Sequence, residues 1–507
     1  MNRLLDERVP ARRSSRTVAS RRAPAVLQLL PLYGGLVAVT LAEETLPSAF
    51  WPYASVALLT FFVLLLGRHF LAPMAILLPV IMAKLLLALS LLFIGHGLPI
   101  RELGIVAQGQ VHSGYYALVA CAFLHIAAQV FALLVRTSPP ARVRLTPVLQ
   151  GLFLWSVIGA ACVAIFFLFH TGATQGFALL EGADRFAYRA GQGWFFGIVM
   201  TFKPILAGLI GFVRFRLSYG RAMRLTLSLL FGVLFAESAL FGEKFLSLLV
   251  MTGFFFMPFL VLQNGLPRRR LGLALGIAVG SGLIVSALTY HVYSDYGALD
   301  LKRTTERLAG RFTGQGQLWY AVMHGKPALA QVDRAEVARM GAAMMAREAD
   351  RTAFDTRSGM FHLVTRFAPD AVRASILERK GRVQFTGATE AYLALVLGHW
   401  PMIAILALLG CLGGLIAYYV YDALIAASLP GYFFALFILS NFASMMNQAS
   451  FWQIFGARAV LYIAAMLATD MVFRMMCARN APLATRRRAG MRLRETGKDF
   501  PVLQKTI

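Results

Sequence analysis

The side chains with most chemical potential in this sequence are arginines, and they fall in two short runs. The first is Glu181-Gly-Ala-Asp184-Arg185-Phe-Ala-Tyr188-Arg189, with Arg185 and Arg189 four residues apart. The second is Arg303, Arg307 and Arg311, again four apart, followed by Gln315, Gln317, Trp319 and Tyr320. On a helix each set shares one face. A guanidinium stays charged and bonds two phosphate oxygens at once. Amides beside it suit sugar hydroxyls, and aromatic ring faces suit sugar C–H surfaces. Each run also has an ordinary reading: a pair with Glu181 or Asp184 for the first, a solvated charged helix for the second.

Two groups could move a proton. Glu390 lies in Phe385-Thr-Gly-Ala-Thr-Glu390-Ala-Tyr392, and His362 lies in Phe361-His-Leu-Val-Thr-Arg366. Either could act as a general base. Glu390 also sits where a helix should start, so spacing alone favours a cap. A lone loop histidine is more often plain surface than catalyst. Further ionisable groups fall inside apolar stretches: Lys84, Lys203, Glu237, Glu243, Lys244 and Arg458. Such groups usually face a protein interior or a wet cavity. A Lys203–Glu237 or Lys84–Glu237 pair is one expectation. Asn441, Ser444 and Gln448 form a polar stripe that reads first as helix–helix glue.

Other chemistries are not suggested. There is no Walker loop, HExxH, GxSxG or CxxC, and Gly314-Gln-Gly-Gln317 reads as a turn. No carboxylate cluster of the kind that holds Mg²⁺ stands out, so no cofactor or metal is expected. The four cysteines lie in or beside apolar runs, where a thiol behaves as a small hydrophobe.

The elements that must position these residues are set by composition. Charged residues are only 14% of the 507, against about 25% in ordinary soluble domains. Mean hydropathy is +0.66. A water-soluble core and a disordered chain are both excluded. Crossing hydrocarbon takes about 20 apolar residues as a helix. Such runs occur at 25–42, 50–67, 70–94, 114–135, 148–169, 194–213, 225–241, 245–262, 271–290, 396–420, 430–447 and 457–474. The fold class expected is an all-α polytopic membrane protein of about 12 transmembrane helices.

The net charge of +25 is a topology signal. Arginines crowd residues 1–24, 136–144, 214–224, 268–270 and the 475–507 tail, while the intervening short loops are poor in them. This positive-inside pattern puts both termini in the cytoplasm. Nucleic-acid binding is not indicated. The lipid bilayer is the expected surroundings, and residues 25–42 read as a retained first helix, not a cleaved leader. Residues 25–290 would hold helices 1–9 and residues 396–474 helices 10–12. Between them, residues 291–395 form one large, partly helical loop on the outer side. In it Val332, Val337, Met340 and Met344 recur at helical spacing, and Pro369-Asp370 opens a second short helix.

These landmarks resemble the bacterial oligosaccharide repeat-unit polymerases, the Wzy-type O-antigen and exopolysaccharide polymerases. The resemblance rests on Asp184-Arg185-Phe-x-x-Arg189, on Leu240-Phe-Gly242-Glu-Lys244-Phe, on the large late loop, and on Thr386-Gly-Ala-Thr-Glu390-Ala-Tyr392. It implies a membrane glycosyltransferase at the periplasmic face of the inner membrane, joining undecaprenyl-diphosphate-linked oligosaccharide units. Arg185, Arg189 and Arg311 would hold diphosphate and saccharide, with Lys244, Arg307, Gln315, Gln317, Trp319, Arg366 and Tyr392 around them. Glu390 or His362 would be the base. A chain-length regulator protein would be a partner. The related O-antigen ligases differ in acceptor, and a lipid-linked oligosaccharide flippase or secondary transporter remains a separate expectation.

Overall fold

The structure is a computed structural model. It describes residues 23–46, 48–100, 103–106, 110–140, 145–180, 188, 191–217, 219–242, 245–262, 280, 287, 310, 313–325, 332–345, 359–378 and 387–479. The helices in chain order begin with α1 Ala23–Thr45, α2 Phe50–His69, α3 Leu71–Ile76 and α4 Leu78–Gly95. A two-residue antiparallel ribbon follows, β1 Pro99–Ile100 with β2 Ile105–Val106. Then come α5 Ser113–Thr137, α6 Pro147–Gln175, α7 Trp194–Arg216, α8 Arg221–Leu240 and α9 Phe245–Leu262. The short helices are α10 Gln317–Gly325, α11 Arg334–Met345, α12 Gly359–Phe367, α13 Asp370–Glu378 and α14 Ala388–Leu397. The last four are α15 His399–Ala426, α16 Leu429–Gln448, α17 Trp452–Phe455 and α18 Ala457–Arg479.

Eleven of the twelve predicted spans fall on these helices; the stretch 271–290 lies almost wholly outside the described residues. Among the described residues, nine helices are long and apolar enough to cross a membrane. Their outward faces are apolar too: α6 exposes Val148, Trp155 and Phe166, and α18 exposes Leu461, Tyr462 and Met476. A helix hydrophobic all round belongs in a core or in lipid. With this much apolar surface uncovered, the chain is a multi-pass α-helical membrane protein.

The chain divides into two compact units. The first comprises residues 1–133, 267–415 and 441–457. In it α2 packs on α1 and α4, and α14 is held by α10, α11 and α12. Glu43, at the end of α1, satisfies the free amides that begin α5: its carboxylate accepts from Ser113 N at 3.0 Å and Gly114 N at 2.9 Å. The predicted span 70–94 is interrupted at Leu77, with Pro79 in the first turn of α4.

The second unit comprises residues 134–266, 416–440 and 458–507. Here α7 packs on α6, α8 and α9. Gly211 lets α7 approach α9, since a Cβ there would collide with the Phe255 carbonyl. Arg216, counted above as a topology signal, and Arg474, just before the basic tail, also bond inside this unit. Arg216 donates to the carbonyls of Leu424 and Ile425, both at 2.9 Å, covering free acceptors at the end of α15. Arg474 pairs with Asp422 and, Nη2 to Oδ2 at 2.8 Å, with Asp470, which accepts from Ser428 Oγ at 2.6 Å. Lys203 and Glu237 are buried in this unit, Lys203 Nζ lying 3.5 Å from Met200 Sδ.

Candidate functional site

The site is built around α14 in the first unit. Its sequence, ATEAYLALVL, is buried from Ala388 to Val396, so the helix has no solvent face. Glycines bound it for a reason. Gly387 has φ +72° and Gly398 φ +82°, the left-handed region that costs other residues dearly. A Cβ at Gly387 would also strike the Gln315 carbonyl and Leu87. Thr389 Oγ1 donates to Met445 O at 2.8 Å and accepts from Ala449 N at 3.2 Å, fixing α14 against the end of α16.

Glu390 occupies the first turn of α14, where the sequence put it. It does not stand ready as a base. It forms an ion pair with Lys84 of α4, and the residues are 1% and 3% exposed. Lys84 Nζ also lies 5.5 Å from the centroid of the Phe123 ring. The expected Lys84–Glu237 pair is therefore corrected: the carboxylate that neutralises Lys84 is Glu390. A charge buried this deeply is stable only when paired.

The other polar contacts gather at Tyr392, two residues further along the same helix. Its hydroxyl donates to Glu336 Oε1 at 2.5 Å. Arg339 donates to the same carboxylate, Nε to Oε2 at 2.7 Å and Nη2 to Oε1 at 2.5 Å. His362 Nδ1 lies 3.4 Å from Glu336 Oε2, and its ring meets the Tyr392 ring edge-on at 5.9 Å. Arg366 Nη1 lies 3.8 Å from Asp333 Oδ2. His362 and Arg366 share the outer face of α12 because Met360, Phe361, Leu363 and Val364 bury the other.

Helix α11 carries the carboxylates. Asp333 Oδ1 accepts from Glu336 N at 3.1 Å, an N-terminal cap, and Asp333 N donates to Val396 O at 2.8 Å, which moors α11 to α14. The predicted apolar stripe is corrected here. Val332 is exposed, Val337, Met340 and Met344 are half-buried, and the residue turned fully inward is Glu336 at 5% exposure. Its charge is tolerated because Arg339 and Tyr392 fill the carboxylate's bonding positions. Sequence reasoning missed Glu336. The available signal was its place four residues before Met340, on the apolar face, with Arg339 one turn on.

The electrostatics follow from this packing. Burial alone would raise the Glu336 carboxyl, but the bonds from Arg339 and Tyr392, with His362 nearby, hold it below its ordinary value. Burial lowers the His362 imidazole; Glu336 opposes the shift, and Arg339 and Arg366 reinforce it. The net effect favours the neutral imidazole. Its Nε2 is buried with no hydrogen-bond partner among the described residues.

The remaining expected site residues separate. Arg185, Arg189, Lys244, Arg307 and Arg311 lie outside the described residues. Gln315 is in the turn 314–316, where Gly316 N donates to Ser90 Oγ at 2.7 Å, as the turn reading required. Gln317 and Trp319 are fully buried at 0% exposure, Trp319 against the rings of Tyr115 and Tyr116. A buried indole cannot offer its face to a sugar, so the expectation for Trp319 is corrected to packing. Among the described residues, no three His, Cys, Asp or Glu converge as metal ligands do.

Fold and site together define a multi-pass membrane protein with a polar cluster built on short helices between its long ones. Residues 353–463 match a family described as a family of unknown function, DUF6418. That stretch contains His362, Arg366, Glu390 and Tyr392 and leaves out Lys84 and α11. No curated protein matches the chain. No solved structure matches it either.

Proposed function

We propose that the protein is a membrane glycosyltransferase that polymerises undecaprenyl-diphosphate-linked oligosaccharide units on the outer face of the bacterial inner membrane. The observation that carries this reading is that His362 and Arg366, one turn apart on α12, lie beside Tyr392 of α14, the His362 and Tyr392 rings meeting edge-on at 5.9 Å. Arginine asymmetry along the chain supports an outward loop and cytoplasmic termini.

The acceptor hydroxyl of a lipid-linked unit attacks the anomeric carbon of the growing chain. A new C–O bond forms there, and the bond to the diphosphate oxygen breaks. Undecaprenyl diphosphate leaves with the electron pair. The hydroxyl proton passes to His362 and then to solvent. Arg185, Arg189, Arg307 and Arg311, with Lys244, supply positive charge for the departing diphosphate. Glu390 and Trp319 are assigned to the scaffold: one is held by Lys84, the other lies inside the aromatic core.

General-base removal typically costs about 10²–10⁴-fold in rate. His362→Ala, Arg185→Ala and Arg311→Ala should each leave the protein inserted and abolish long glycan chains, read as loss of the ladder on glycan gels. Normal ladders from all three variants would overturn the reading.

A further inference from the structure

A histidine accepts a proton through the one ring nitrogen that carries a lone pair, and the other nitrogen must hold the hydrogen. Which nitrogen is which depends on the group facing each. An ionised carboxylate has no hydrogen to donate, so a neutral ring can meet it only through N–H. Glu336 Oε2 lies 3.4 Å from His362 Nδ1, and Nε2 faces no partner among the described residues. The separation is longer than a finished hydrogen bond, and such contacts commonly tighten when substrate arrives. Glu336 cannot drift, because Tyr392 at 2.5 Å and the two nitrogens of Arg339 at 2.7 and 2.5 Å hold its carboxylate. The helix bearing Tyr392 is itself buried throughout its first nine residues.

We propose that Glu336 is a positioning residue: it takes the Nδ1–H of His362, fixes that tautomer, and leaves the Nε2 lone pair as the site's proton acceptor. The part of this claim that concerns glycosyl transfer rests on the function proposed above; the tautomer does not. The charged and titratable groups around the imidazole are Asp333, which caps α11, Glu336 and Arg339 from α11, Arg366 from α12 and Tyr392 from α14. The carboxylates favour the imidazolium and the guanidinium groups oppose it. Removing Glu336 and removing Arg339 must therefore move the titration of His362 in opposite directions. A purely structural role for Glu336 leaves the tautomer of His362 unspecified, so the tautomer is what separates the two roles.

The test is ¹⁵N NMR of the full chain labelled on histidine, in lipid nanodiscs, with His362→Gln used to assign the signal. In the unaltered protein at neutral pH, His362 should show a protonated Nδ1 and an unprotonated Nε2. Glu336→Gln should lower its titration midpoint, and Arg339→Gln should raise it. An Nε2–H tautomer in the unaltered protein overturns the proposal without any need for a variant. So do shifts of the same sign in both variants. Where Glu336→Gln fails to fold, the unaltered protein and Arg339→Gln still decide. If the tautomer and shifts are as expected while His362→Gln still builds long glycans, the positioning role stands and the polymerase reading falls. If His362→Gln abolishes long glycans while the tautomer is reversed, the positioning role falls and the polymerase reading stands.

Discussion

A lysine and a glutamate buried against each other stabilise only as a pair. Removing one partner of such a pair costs about 3–5 kcal/mol, because the survivor is left charged in an apolar interior, whereas replacing both with apolar groups is often neutral. Lys84→Met should therefore lower the thermal midpoint in detergent sharply, and Lys84→Met with Glu390→Leu should restore much of it. Equal losses in the single and double variants would show that the pair is not the cause. A second expectation concerns His362. Burial holds its pKa below about 6.5, so the neutral, proton-accepting form persists through neutrality and is lost only at lower pH. Glycan elongation should be flat near neutral pH and fall on the acid side, with the inflection below that of free imidazole. An inflection above it would contradict the packing described. His362, Arg366 and Tyr392 were named from the sequence by residue type, and His362, read there as a loop residue, lies on α12. The pairing of Lys84 with Glu390 was not legible, because only tertiary packing brings α4 to α14. Glu336 was hidden for a similar reason: its partners Tyr392 and His362 come from other helices.

At the level of elements, α14 shows what periodicity can and cannot reveal. A helix buried on every side has no polar stripe, and all but the last two residues of α14 were placed in the loop 291–395 instead of the tenth span. The left-handed glycines that bound it mark it as separate. Gly387→Ala must place a Cβ in that conformation, at about 1–2 kcal/mol, and also against the Gln315 carbonyl and Leu87. We expect it to lower the thermal midpoint and loosen protease protection of α14, while Gly341→Ala, in open space inside α11, lowers neither. The amphipathic reading of α11 placed the helix correctly and its inward face less well. Spacing locates a buried stripe; it does not show that a carboxylate with three donors can join it.

For the whole molecule, the long apolar helices and the alternation of arginines were legible because hydrocarbon thickness and charge placement act on sequence directly. The division into two units was not, since four helices, α5, α15, α16 and α18, supply residues to both. The topology can be checked by labelling. With the four native cysteines replaced, Arg334→Cys on exposed α11 should react with a membrane-impermeant maleimide from outside intact spheroplasts. Ser14→Cys should react only after permeabilisation. The opposite pattern would invert the topology and remove the outward site.

The Lys84–Glu390 pair also has a consequence for biosynthesis. Translation delivers α4 to the bilayer long before α14 exists, so the nascent chain carries a solitary ammonium group in an apolar helix while most of the protein is still unmade. That helix should linger beside the insertion machinery until its acid arrives. Ribosome-bound chains ending before Ala388 should crosslink to the translocon through α4, and chains carrying Lys84→Met should be released early.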